Sequence, residues 1–252
     1  MAKIINKDNH LEKELNNYKK NYRISMLFLI VSIILSFLGG ILSSIVSFIS
    51  FIFVIKNRKK IKILKAGLEG EVKAGMTFSK LSDDYYVLSD LDVRVNDKVS
   101  QIDSIVVGSN GIFIIETKNL NGVIDGCEED KEIIQYKKGN KGGEYKKKFY
   151  NPIKQVSTHV YRVSEVLKMN KLNKWVQGMV YFTNDKCIVN IDSDRIPVFA
   201  ASEEGDKEIL NYIVNYDNNS EVISKEEKIK IVNILREFCE DANNTDRGRT
   251  IF

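Results

Sequence analysis

The stretch QIDSIVVGSNGIFIIETKNLNG, residues 101–122, decides the fold. Its two apolar runs, residues 104–107 and 112–115, are rich in β-branched side chains, which favour strands. Between them stands Gly108-Ser109-Asn110-Gly111, a turn sequence that joins the two strands of a hairpin. The sequence therefore predicts an antiparallel β-hairpin around which the rest of the chain is organised.

Three charged side chains interrupt this apolar hairpin. Asp103 lies near the start of the first strand, Glu116 at the end of the second, and Lys118 two residues later. Because side chains alternate between the faces of a strand, all three are expected at the same end of the sheet. Half-buried charges are costly unless they pair or hold a cation. A solvated turn explains any one of them alone, but together they indicate carboxylates that hold Mg²⁺ and a lysine that orients water.

Composition narrows the chemistry that the chain can perform. The 252 residues are 43% hydrophobic and 29% charged, which is ordinary for a folded domain. Cys127, Cys187 and Cys239 are far apart, which indicates a reducing compartment without a disulfide framework or a zinc site. The two histidines, His10 and His159, are too few for most His-based metal sites or Ser-His-Asp triads. Hydrolytic chemistry here would have to use carboxylates, lysine and a metal ion.

The N-terminal part differs from the remainder in charge and hydropathy. Residues 1–65 hold 12 of the 38 Lys/Arg and 3 of the 34 Asp/Glu, so the net charge is +9 there and −5 in the remainder. Residues 25–55 carry no charge, a pattern that predicts a membrane span. Gly39-Gly40 divides this run, so a hairpin of two short helices and a single long tilted helix both remain open.

The basic residues on both flanks of this run predict its orientation. By the positive-inside rule, the stronger flank at residues 56–65 lies in the cytoplasm, so the chain is expected at the cell membrane with its C-terminal domain in the cytoplasm. Contact between this cluster and lipid headgroups is an alternative explanation of its charge. The predicted organisation is a polar segment 1–24, a membrane segment 25–55, a basic segment 56–65, a domain 66–242 that ends in a helix, and a tail 243–252.

The remaining pattern predicts both strands and helices. A helix is expected from residue 61 onward, carrying Glu71, and another at residues 153–167 after the Asn151-Pro152 turn. A last helix begins at Ser224, with Glu227 completing a capping box. Further strands are expected at residues 85–88, 91–95, 123–126, 133–136, 176–183, 187–191 and 196–200, and a mobile basic loop at 137–148.

A basic face lies between Lys137 and Lys174, where 11 Lys/Arg stand against Glu144 and Glu165. A phosphate backbone would be attracted to this face, although a run of charge is more often a solvated surface. The residues that we expect to contact nucleic acid are Lys146, Lys147, Lys148 and Lys154.

Four ordered blocks resemble the nuclease-related domain (NERD) over about residues 63–175. The blocks are Gly67-x-x-Gly70-Glu71, Gln101-Ile102-Asp103, the run from Gly111 to Glu116-Thr117-Lys118-Asn119, and Asn151-Pro152-x-x-Gln155-Val156. The family is assigned by similarity to the PD-(D/E)xK nuclease superfamily. The resemblance implies an α/β fold of the restriction-endonuclease type, with a mixed sheet flanked by helices, here preceded by the transmembrane helix or hairpin.

The resemblance also implies roles by position. Glu71 corresponds to the helix acid, Asp103 to the first strand acid, Glu116 and Lys118 to the E-x-K pair, and Gln155 to the residue on the next helix. Asp103 and Glu116 would hold Mg²⁺ or Mn²⁺ with help from Glu71, Lys118 would position the nucleophile, and Gln155 would orient the pair or the water. No core position is replaced, so the chain does not resemble a degenerate copy.

Two functions from different classes follow. The leading expectation is a membrane-anchored, Mg²⁺-dependent phosphodiesterase that acts on nucleic acid, with DNA favoured over RNA. The alternative is a membrane-tethered module that keeps the fold without catalysis and binds nucleic acid or a protein. The sequence does not indicate the oligomeric state.

Overall fold

Most of the described strands form two runs along the chain, which are separated by one helix and have further helices before and after them. The elements are β1 (Lys3–Asn6), α1 (His10–Ser36), α2 (Ile41–Phe78), β2 (Tyr86–Val95), β3 (Lys98–Gly108), β4 (Gly111–Lys118), β5 (Gly122–Cys127), β6 (Glu132–Lys138), β7 (Glu144–Tyr150), α3 (Pro152–Met169), β8 (Val176–Phe182), β9 (Cys187–Asp192), β10 (Val198–Ala200), α4 (Glu203–Val214) and α5 (Lys225–Arg247). This computed structural model describes residues 1–6, 9–37, 41–96, 98–139, 142–217 and 222–247. The chain forms two units, Asp8–Glu69 and Met1–Lys7 with Gly70–Phe252.

The predicted hairpin lies in the middle of a six-stranded mixed sheet with the order β1-β2-β3-β4-β8-β10. Strands β3 and β4 pair antiparallel, from the pair Ser104 and Ile115 to the pair Gly108 and Gly111 at the turn, which confirms the predicted hairpin. β8 then joins β4 in parallel, as β1 joins β2 at the other side. The prediction of an α/β fold with a mixed sheet flanked by helices is therefore confirmed.

Helices cover both faces of this sheet. On one face, α3 and α5 pack Val156, Val163 and Ile231, among others, against the even-numbered residues Ile112 and Ile114 of β4. On the opposite face, the end of α2 and helix α4 pack against Phe113 and Ile115; the helical side chains there include Ala74, Phe78, Ile209 and Ile213. β4 is thus buried on both sides, which explains why its sequence is a continuous apolar run rather than an alternating one.

A second, four-stranded sheet has the order β7-β6-β5-β9. Its strand β7 corrects the prediction of a mobile loop at residues 137–148, since Glu144–Tyr150 pair with β6 along their whole length. Composition misleads here because lysine and glycine are typical of loops. The strand is stabilised by its partners instead: Phe149 packs against the core, and the Lys146 ammonium lies 5.0 Å from the centre of the Tyr136 ring. Residues 140–141 lie outside the described part of the chain.

Other boundaries differ more modestly from the sequence pattern. Strand β2 is continuous across Asp90, which has a φ of 55°, where the sequence predicts two separate strands. Strand β1 and helix α4 have no counterpart in the sequence analysis. The capping box is confirmed: the Ser224 amide donates to Glu227 Oε2 at 3.0 Å, and the Glu227 amide donates to Ser224 Oγ at 3.2 Å.

The prediction of a transmembrane helix or hairpin over residues 25–55 is not supported. Within the described ranges, none of the helices combines the length and the hydropathy that crossing a membrane requires. The uncharged run is divided between α1 and α2, as residues 25–36 and 41–55. Each part is shorter than the roughly 20 apolar residues that span a bilayer. Gly39-Gly40, which divides the run in the sequence, lies outside the described residues.

A buried lysine attaches α5 to the turn that precedes β2. Lys228 is 3% exposed, and its ammonium donates to the Asp84 carboxylate and, at 3.0 Å, to the Asp84 carbonyl. The hydrogen bond from Lys228 lowers the pKa of Asp84, with burial opposing it. The pair therefore contributes stability above the ordinary pKa of aspartate, and this contribution is lost as the pH falls through the lower folded-state value.

Replacement Asp84→Ala is expected to lower the free energy of unfolding by about 1 kcal/mol at pH 7, because Lys228 keeps only the carbonyl partner and the exposed carboxylate is screened by solvent. Denaturant unfolding of the full chain measures this change. The difference should shrink as the pH falls below the ordinary pKa of aspartate. The exposed neighbour Asp83 provides the control, and an equal loss in Asp83→Ala would contradict the interpretation.

Candidate active site

Two acids face each other at the open end of the central hairpin. The paired residues farthest from the turn are Ser104 and Ile115, and Asp103 and Glu116 are the next residues along each strand. The Thr117 amide donates to Asp103 Oδ2 at 2.7 Å, which holds the Asp103 carboxylate against β4. The strand register thus brings together two acids that belong to different strands of the hairpin.

The E-x-K pair and the helix glutamine are in direct contact. Glu116 is only 1% exposed, and Lys118 Nζ donates to its Oε1 at 2.6 Å. The same ammonium donates to Gln155 Oε1 at 3.1 Å, so α3 takes part in the site through its first turn. A lysine shared between two acceptors has a defined position, with its stem on the sheet and its charge at the strand end.

His159 is a member of the site that the sequence analysis missed. Its Nε2 lies 3.2 Å from Glu116 Oε2, and both side chains are buried. The contact does not have hydrogen-bond geometry, and among the described residues Glu116 Oε2 and both imidazole nitrogens have no hydrogen-bond partner. Helix spacing could have found this residue, because positions 155 and 159 lie one turn apart on the same face.

Gly70 allows α2 to approach the ends of β4 and β8. A Cβ atom at this position would lie 2.7 Å from Asn119 Cβ and 3.0 Å from Thr183 Oγ1, so a side chain would push the helix away. The next residue, Glu71, is half-buried, and its charge acts on Asp103. The absence of a side chain at Gly70 therefore allows Glu71, the acid on α2, to lie near the strand acids Asp103 and Glu116.

The electrostatics of the site favour a bound cation. Burial of the Asp103 carboxyl raises its pKa well above the ordinary value, repulsion from Glu116 raises it further, and Glu71 adds to the effect. Lys118 and the Thr117 amide oppose these effects without cancelling them. Mutual repulsion of carboxylates is what a divalent cation with oxygen ligands relieves.

The donor set fits such a cation through two acids. Across the ranges that the structure describes, no group of three His, Cys, Asp or Glu side chains is close enough to hold a metal ion. Asp103 and Glu116 remain as a pair, and Glu116 Oε2 is a buried oxygen without a hydrogen bond. Two carboxylates with water in the other positions is the way in which Mg²⁺ is usually bound.

The lysines expected to contact nucleic acid lie outside this cluster. Lys146, Lys147 and Lys148 are exposed on β7, an edge strand of the second sheet. Lys154 is partly buried in the first turn of α3, next to Gln155 in sequence.

Comparison with known proteins supports a nuclease-related domain in this part of the chain. The family model described as NERD, nuclease-related domain, matches residues 66–183, which confirms the resemblance of the four sequence blocks. An uncharacterized protein of Bacillus anthracis is 33% identical over 106 residues, which is 40% of this chain and 47% of the relative. The chain thus matches about half the length of this relative. No solved structure matches the chain.

Replacement Asp103→Asn is expected to stabilise the metal-free protein at pH 7. The folded-state pKa of Asp103 is raised, so the ionised form costs stability, and this cost grows as the pH rises through that value. Removing the charge keeps an oxygen for the Thr117 amide and should raise the melting temperature by about 2–4 °C, equivalent to about 1 kcal/mol in a protein of this size.

Thermal unfolding in EDTA at pH 5 and pH 7 measures this effect, which should be larger at pH 7. Asp125→Asn, which replaces an exposed aspartate on β5, is the matched control and should leave the melting temperature unchanged. A lower melting temperature for Asp103→Asn would show that the Asp103 charge stabilises the folded protein, which contradicts this expectation.

Proposed function

We propose that this chain hydrolyses phosphodiester bonds of nucleic acid with the help of a divalent cation. The observation that carries the proposal is the buried Glu116, which lies across from Asp103 and between Lys118 and His159. The match of residues 66–183 to a nuclease-related domain supports the same chemistry.

Asp103 and Glu116 are the residues that would hold Mg²⁺ or Mn²⁺, with Glu71 on the side of α2. When bound, such an ion lowers the pKa of a coordinated water and neutralises charge on the scissile phosphate. Because the pKa of Asp103 is raised, occupancy of the site should compete with protons and increase with pH.

The other side chains fix geometry and supply positive charge. Hydrogen bonds to Glu116 and Gln155 orient the Lys118 ammonium. In this position it would stabilise the charge that develops on the phosphate and orient the attacking water. His159 borders the second oxygen of Glu116 and limits the directions in which this carboxylate can turn. Gln155 thus acts on the reaction through Lys118, and His159 acts through Glu116.

We propose DNA as the first substrate to test and RNA as the second. Lys146, Lys147, Lys148 and Lys154 are the residues proposed to attract the phosphate backbone. The net charge of −5 beyond residue 65 argues for local contacts rather than tight general binding.

A binding module without catalysis is the second candidate. Two observations favour it. Lys118 Nζ already donates to Glu116 Oε1 at 2.6 Å. Within the described residues, Glu71 does not form a group of three metal ligands with Asp103 and Glu116. In that case the site would hold nucleic acid or a protein partner without cleaving a bond.

Cleavage of labelled DNA and RNA by the full chain distinguishes these candidates. We expect cleavage with Mg²⁺ or Mn²⁺, none with EDTA, and a loss of about 10²-fold or more in Glu116→Gln and in Lys118→Met. Glu132→Gln, an exposed glutamate on β6, is the matched control and should retain activity. Binding of nucleic acid without cleavage under any metal condition would favour the second candidate, and cleavage that survives both site substitutions would exclude this site.

A further inference from the structure

A cavity of about 400 Å³ opens beside the start of α3, lined by residues that include Glu128, Tyr150, Lys154, Ser157 and Arg195. We propose that it binds one nucleotide of a single-stranded substrate, with the base on Tyr150 and the phosphate on Lys154. This inference rests on the proposed nuclease function and names the form of nucleic acid that the site accepts. The volume is within the range of pockets that bind small organic groups.

The exposed edge of the second sheet leads to this cavity. Because side chains alternate between the faces of a strand, Lys146, Lys148 and the exposed Tyr150 lie on one face of β7, and Tyr145 and Lys147 lie on the other. Basic residues interleaved with aromatic rings are typical of proteins that bind single strands, because the charge follows the backbone and the rings stack on bases. β7 ends at Tyr150, where the cavity begins.

Tyr150 is the feature that favours a single strand over a duplex. The residue is 48% exposed although it lines a cavity, so its ring is accessible to a ligand. A base can stack on an aromatic ring only when its own face is free, and in a duplex neighbouring base pairs cover both faces.

The charges around the cavity leave Lys154 as the phosphate contact. Arg195 Nε lies 2.9 Å from Glu128 Oε1 and its Nη2 lies 3.9 Å from Glu129 Oε1, so the charge of this arginine is compensated by neighbouring acids. Asp130, a second acid nearby, accepts from the Cys127 amide at 3.1 Å; this hydrogen bond lowers the pKa of its carboxyl, and the charge of Lys154 adds to the effect. The Glu128–Arg195 pair offers both hydrogen-bond donors and acceptors to the edge of a base, whereas the Lys154 ammonium matches a phosphate.

Chain continuity connects the cavity to the acidic site. Lys154 directly precedes Gln155, whose amide oxygen accepts from Lys118 at 3.1 Å. Both residues belong to the first helical turns of α3, which rise only about 1.5 Å per residue. Successive helix positions differ in direction by about 100°, so Lys154 and Gln155 lie on adjoining faces of α3, and the phosphodiester next to the bound nucleotide is the one that would have to reach Lys118.

Binding measured in EDTA separates this inference from catalysis. Fluorescence anisotropy of a labelled 20-nucleotide strand, free or in a duplex, is recorded with the full chain. We expect binding of the single strand to be about tenfold tighter, and Tyr150→Ala to weaken it by about tenfold, while Tyr150→Phe retains it. Tyr161→Ala, which removes a similarly exposed tyrosine from α3, is the matched control. Lys154→Ala should weaken binding and reduce its salt dependence.

Each outcome has a distinct meaning. Equal affinity for single strand and duplex, or unchanged binding in folded Tyr150→Ala and Tyr150→Leu, overturns this inference even if the protein cleaves DNA. A single-strand preference that depends on Tyr150, without cleavage under any metal condition, supports the inference and removes the proposed catalytic function. Absence of all nucleic-acid binding overturns both.

Discussion

The burial of one carboxylate, that of Glu116, is the constraint on which the site depends. Taking a charged group out of water costs several kcal/mol unless partners compensate it. Here the compensation comes from Lys118 on the same strand, while Asp103 across the hairpin increases the negative charge and His159 on α3 borders the second carboxylate oxygen. A position that needs such support within a buried strand is typical of function rather than of stability.

The helix that supplies His159 and Gln155 is held in place at its start. Asn151 is fully buried, and its side-chain amide donates to the carbonyls of Cys127 and Asp130 at 2.9 and 2.8 Å. Its side-chain oxygen accepts from the Ile153 amide and caps the helix. One asparagine therefore attaches the start of α3 to the second sheet. Because α3 contributes residues to both the acidic site and the cavity beside Tyr150, Asn151 helps to position both.

Local patterns in the sequence predict the hairpin, its charged residues, α3 and the capped start of α5, because strand alternation, turn residues and helix caps act over a few positions. Long-range contacts explain what the sequence does not show. β7 has a loop-like composition and becomes a strand through pairing with β6, and His159 joins the site through the packing of α3 on β4. The uncharged run at residues 25–55 leaves both one helix and two helices open, and the chain divides the run between α1 and α2.

Calorimetric titration of the full chain with Mn²⁺ tests for the cation site without a substrate. We expect saturable binding that weakens by about tenfold or more in Asp103→Asn and in Glu116→Gln, and that is unchanged in Asp125→Asn. Absence of Mn²⁺ binding, or binding that both site variants retain, would contradict a cation site at the end of the hairpin.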